Sequence, residues 1–203
     1  MKPKCLLISS PIVAVALMLA ANATAVPIEF VTILSGPKES PPNASPGTGS
    51  VTAIFDFAAH TLDLHVTFSG LTSPTIAAHI HAPTPFAFAG TAGVATQVPF
   101  FVGFPIGVTS GTYDPPTFNT LDSSFYNPDF ITANGGTADA EAALAQALDQ
   151  GKAYFNIHTE NFRSGEIRGF LHTPDAGPTM LCLVMGLIGL GMFRRKFGTQ
   201  PKA

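Results

Sequence analysis

The sequence predicts a mainly β domain, a sandwich of antiparallel sheets carrying one short helix, set between two apolar ends. Three observations carry this reading. Apolar and polar residues alternate at the two-residue period of half-buried strands in six segments between Phe30 and His172. Stretches rich in Pro, Gly, Ser and Asn separate several of them, Ser35 to Ser50 above all. Only Ala138 to Gln150 has a helical composition. Many short strands joined by such connections pack as two layers around one core.

The chain opens with Lys2 and Lys4, an apolar run from Cys5 to Ala21, and Ala23-Thr24-Ala25 before Val26. Charge, apolar run and small-x-small site in that order predict a signal peptide over residues 1–25. An uncleaved anchor is the alternative, although the run is short for a spanning helix. The strands follow. Phe30 to Leu34 is the first, and Val51 to Phe57 turns Val51, Ala53, Phe55 and Phe57 to one face. Leu62 to Phe68 alternates most cleanly, with Leu62, Leu64, Val66 and Phe68 opposite Asp63, His65 and Thr67. Ile76 to His81 and Ala153 to His158 are further strands, and Ile167 to His172 closes the series.

Residues 82–136 scatter Phe86, Phe88, Phe100, Phe101, Phe104, Phe118, Phe125 and Phe130 among Gly, Pro, Thr and Ser. They read as long loops held to the core by phenylalanine, with strand pairs over Gln97–Val102 and Gly107–Tyr113. The helix has Thr137 as its expected N-cap and Gly151 as its C-cap. Its acidic residues cluster in the first turn, where they complement the helix dipole.

At the other end, Met180 to Phe193 has no charge, and counted back from Ala176 it approaches the ~17 residues that cross a bilayer core as a helix. Arg194, Arg195 and Lys196 follow as a basic stop that stays cytoplasmic, so residues 26–175 are expected outside. Before the span comes Thr173-Pro174-Asp175-Ala176-Gly177. This arrangement resembles the PEP-CTERM class of bacterial sorting signals, in the variant reading Val-Pro-Asp-Ser-Gly. Thr173 stands for the Val and Ala176 for the Ser. The resemblance implies a sorting motif of Pro174, Asp175, Ala176 and Gly177, recognised by an exosortase-type enzyme after signal peptidase has acted on the N-terminus. Residues 174–203 then comprise sorting motif, transmembrane helix and basic tail. The C-terminal helix either is cut off or retains the protein in the membrane.

The formal charge of −3 hides an asymmetry. All 13 acidic residues lie between Glu29 and Asp175, against Lys38, Lys152, Arg163 and Arg168, a net −9 over that stretch. So acidic a domain repels nucleic acid and anionic surfaces, and no nucleic-acid partner is expected. Both cysteines, Cys5 and Cys182, fall in the apolar ends. Residues 26–173 therefore hold neither a disulfide nor a thiolate metal site, and their length supports one core without such staples.

Within this stretch, Leu34 to Asn43 (LSGPKESPPN) and Thr67 to Leu71 (TFSGL) are distinctive. So are Ala78 to Pro83 (AHIHAP) and Ala153 to Thr159 (AYFNIHT), the latter leading to Ser164 to Gly169 (SGEIRG). Five motifs in this order resemble the chordin-type (CHRD) domain across residues 28–172. The resemblance implies an immunoglobulin-like β-sandwich placed outside the cell, and no settled biochemical activity.

His79 and His81 flank Ile80, so on a strand their rings share a face with Cα atoms about 6.6–7 Å apart. His158 faces outward with Tyr154 and Asn156 on another strand. If the two strands are neighbours, the three imidazoles converge on one zinc or copper ion at about 2.0–2.1 Å. His65 is a weaker fourth ligand. The alternative is that these histidines only bond to backbone and fix strand ends. No nucleophile elbow, phosphate-binding loop or dinucleotide fingerprint is present, so no catalytic residue is assigned. The expected function is an exported cell-surface or extracellular-matrix protein, a binding or structural module rather than an enzyme. A copper- or zinc-dependent redox enzyme resembling copper–zinc superoxide dismutase, also a sandwich with His-x-His ligands, is the alternative.

Overall fold

The computed structural model describes residues 26–174. The expected signal peptide and the expected C-terminal helix fall outside the described residues, as do Asp175, Ala176, Gly177, Arg194, Arg195 and Lys196. Among the described residues no helix is long and apolar enough to cross a membrane.

Eight strands appear in chain order: β1 Ile28–Ser35, β2 Thr48–Asp56, β3 Thr61–Ser69, β4 Thr75–His81, β5 Gly111–Tyr113, β6 Phe118–Asn119, β7 Tyr154–Thr159 and β8 Ile167–Phe170. The six long alternating segments of the sequence all form strands within a few residues of the expected bounds. Alternation survives in the burial: Leu62, Leu64, Val66 and Phe68 on β3 are buried, with Asp63 and His65 exposed between them. Of the two short segments expected in the phenylalanine-rich region, only Gly111–Tyr113 becomes a strand, while Phe100 makes an isolated bridge to Ala78.

The strands do not divide into two packed sheets. They form one sheet in the order β4-β7-β8-β1-β2-β3-β5, with β6 also paired to β3. The expected mainly β, sandwich-like fold holds, but its strands belong to one sheet curled into a half-barrel rather than to two separate sheets. The two ends of this sheet are brought together by aromatic side chains, Phe101 and Phe104. Phe101 stacks on Phe155 of β7 at a centroid separation of 6.1 Å, and also meets Tyr113 of β5 at 6.3 Å and Phe118 of β6 at 5.7 Å. A twisted antiparallel sheet of this width bends until such groups fill its concave side.

Two helices, not the single one expected, close the core: α1 Pro128–Asn134 and α2 Thr137–Asp149. The first had a readable signal, since Asn127 caps it through the Asp129 N–H and Pro128 occupies its first turn. On α2, Ala140, Glu141, Leu144, Ala147 and Leu148 are buried at helical spacing. Its N-cap is Gly136 rather than Thr137, and Gln150 is the C-cap, followed by Gly151 in the left-handed region at φ +64°.

Strand β7 lies between β4 and β8, and all six of its residues are buried. Its inward face is apolar, through Phe155 and Ile157. Its outward face is polar, through Asn156 and His158, with the ring of Tyr154 alongside. The segment between His81 and β5 covers that polar face. It joins β4 through the His81–Val94 and Ala78–Phe100 bridges and the Ala95 N–H to Ile80 carbonyl bond.

Candidate metal centre

Pairing of β4 with β7 sets Ala77 opposite His158, His79 opposite Asn156 and His81 opposite Tyr154. Directly opposed residues share a face of an antiparallel pair. His79, His81 and His158 therefore stand together on the outward face, while Ala78, Ile80, Phe155 and Ile157 point into the core. One nitrogen from each ring lies within 4.8 Å of the other two. Only 6–8 % of each of these residues is exposed.

Each ring is also tied by its other nitrogen to a main-chain carbonyl. His79 Nε2 reaches Pro99 O at 2.5 Å, His81 Nδ1 reaches Ala92 O at 3.0 Å, and His158 Nδ1 reaches Arg163 O at 3.0 Å. A carbonyl only accepts, so the facing nitrogen carries the proton and the tautomer of each ring is assigned from this network. The rings are neutral. Burial holds His79 down at about 3, helped by the neighbouring His158 and His81. Burial holds His81 at about 4 and lowers His158 as well.

The remaining nitrogens, His79 Nδ1, His81 Nε2 and His158 Nε2, then each present a lone pair with no proton among them. His79 Nδ1 and His158 Nε2 are 3.3 Å apart. His81 Nε2 is buried and has no hydrogen-bond partner among the described residues. Facing lone pairs repel unless a cation lies between them. Two nitrogens bound tetrahedrally at ~2.0–2.1 Å would stand about 3.3–3.4 Å apart, which this pair already does. The carbonyls supply the second shell that fixes ring orientation in metal sites.

Behind the histidines lies a buried polar layer. Tyr154 stacks on the His81 ring at 4.8 Å and 1°, and the Arg168 guanidinium sits 4.8 Å from the Tyr154 ring centre. Arg168 donates through Nε to Lys38 O at 2.5 Å and through Nη1 to Gly90 O at 3.1 Å. Glu39 Oε2 is 3.8 Å from Arg168 Nε, yet burial outweighs that cation and pushes the Glu39 carboxyl up to about 7. Glu166, the residue before β8, is bonded away from Arg168. It is fully buried and accepts hydrogen bonds from Ser45 Oγ, Thr159 Oγ and the Thr72 N–H.

His65 is corrected as a fourth ligand. It sits on β3, five places from β4 in the sheet, with Nδ1 3.7 Å from Asp114 Oδ1. His60 bonds to Glu141 Oε2 at 2.8 Å, and exposed His172 faces the Phe170 carbonyl at 3.2 Å. The carbonyls of Ala92, Pro99 and Arg163 escaped sequence reasoning, because a main-chain acceptor leaves no residue signature. Glu39 escaped it as well, and the sequence sets Arg168 beside Glu166, whereas its carboxylate neighbour is Glu39. Of the expected sorting motif only Pro174 is among the described residues, and it is exposed.

Fold and site together define a β-sheet domain with a buried, lone-pair-lined histidine cluster on the outward face of one strand pair. Residues 30–171 match the family model of the CHRD domain, and the chain belongs to that family. No curated protein and no solved structure matches it.

Proposed function

We propose that this chain is an exported CHRD module that holds one zinc or copper ion through His79, His81 and His158, and that it serves as a binding or structural element at the cell surface or in the extracellular matrix. The observation that carries the metal reading is the convergence of three unprotonated ring nitrogens in a buried site, each fixed by a carbonyl on its far side. Burying a polar group without a partner is costly, and a cation relieves all three at once. Export is supported by the N-terminal signal pattern and by the C-terminal motif, apolar run and basic stop. Signal peptidase and an exosortase-type enzyme are the processing partners this implies.

A redox enzyme resembling copper–zinc superoxide dismutase has less support. Among the described residues the ligand cluster contains three histidines and no carboxylate. Titration of the full-length chain with zinc and with copper, followed by calorimetry, tests the reading. One ion per chain is expected, with affinity falling about 10–100-fold or more in His79→Ala, His81→Ala and His158→Ala. Absence of binding, or binding unchanged in all three variants, would overturn it.

A further inference from the structure

The charge of the site selects among metals. All three donors are neutral imidazoles, and no Asp, Glu or Cys among the described residues joins the cluster. A buried cation, Arg168, is stacked behind Tyr154, which itself lies against His81. Glu39, which neighbours Arg168, is largely buried and shares its layer without reaching the histidines. Arg163 contributes its carbonyl to His158, and its side chain is exposed. Among the described residues, no carboxylate joins the three nitrogens.

The self-energy of a buried ion rises with the square of its charge, so a dication here is opposed about four times as strongly as a monocation. Three-histidine zinc sites meet this difficulty by keeping an open position for water, which ionises and adds a negative charge. Here the ligands are almost closed off from solvent and the covering segment is bonded to β4 on the outer side. Cu(I) is a closed-shell monocation that is satisfied by three nitrogen donors without an anionic fourth ligand.

We propose that the His79–His81–His158 centre is a cuprous site, taking Cu(I) in preference to Zn(II). This rests on the metal-binding reading above and adds the identity and charge of the ion. Full-length protein is titrated without oxygen, with Cu(I) held by bicinchoninate and, separately, with Zn(II) held by a chromogenic chelator. The expected result is a dissociation constant for Cu(I) at least ~100-fold below that for Zn(II), as a large difference in buried charge requires. The X-ray absorption edge of the bound copper should be that of the monovalent ion. His81→Asp places a carboxylate among the donors and should narrow the ratio by about 10-fold or more, since it supplies the missing charge. Zinc bound as tightly as Cu(I), or an edge belonging to Cu(II) under reducing conditions, would overturn the cuprous assignment and leave a metal site standing. Failure to bind either ion would remove the metal reading itself. If His81→Asp does not fold, the wild-type ratio and the edge decide alone.

Discussion

A histidine with one nitrogen on a carbonyl and the other in a dry cluster resists protonation, and three of them make the metal-free fold sensitive to acid. Burial holds His79 at about 3 and His81 at about 4, and lowers His158 too, whereas in the unfolded chain these rings take protons near 6.5. Their contribution to stability is present above about 6.5 and is lost as pH falls toward the folded values. Glu39 acts with the opposite sign. Its folded value near 7 exceeds the 4.5 of an ordinary glutamate, so its contribution is present below 4.5 and lost as pH rises through 7. Between pH 5 and 6.5 the histidines outnumber it, and stability should rise with pH by roughly 1–2 kcal/mol per unit. Urea midpoints of the metal-free protein should climb over that window, and less steeply in His79→Ala and His81→Ala. A flat midpoint would mean the rings are not held neutral. The His-x-His spacing and the outward position of His158 were legible in the sequence because side-chain period two is a local property. Which histidine stays outside was not, since His65 alternates as well as the others and is excluded only by the strand order.

Periodicity told which residues share a face of a strand, but nothing local tells a strand its partner. That is why the strands were readable and the single curled sheet was not. The covering segment illustrates the same limit, because its phenylalanines announced anchoring without saying what they anchor. Phe101 is fully buried against Phe155, two residues beyond the Pro99 carbonyl that orients His79. Phe101→Ala should cost about 3–5 kcal/mol of stability. It should also weaken metal binding about 10–100-fold, although no ligand is touched, because the carbonyl second shell moves with the segment. Leu144→Ala on α2, equally buried, should destabilise comparably and leave the metal affinity near wild type. Thermal melts followed by titration at a temperature where both variants remain folded separate the two effects. Equal loss of affinity in both would show that the segment has no particular role.

At the scale of the molecule, β1 is joined to the segment after β8 by reciprocal bonds between Val31 and His172. The entry and exit of the described domain are therefore neighbours on adjacent antiparallel chains. If both ends are processed as proposed, the two cuts would fall beside neighbouring strands of the same sheet. The acidic stretch, with thirteen carboxylates against four basic residues between Glu29 and Asp175, also contrasts with the basic extremities. We therefore expect cells making this protein to carry it on the outer side of the membrane or in the medium, with a mature N-terminus at Val26. Intact mass measurement and N-terminal sequencing of fractionated cells read this directly. Ala25→Phe should block cleavage and leave the heavier, leader-bearing chain in the membrane fraction, because the cleavage site needs a small residue there. Recovery of the full chain from the soluble cytosol, carrying both apolar ends, would be incompatible with export.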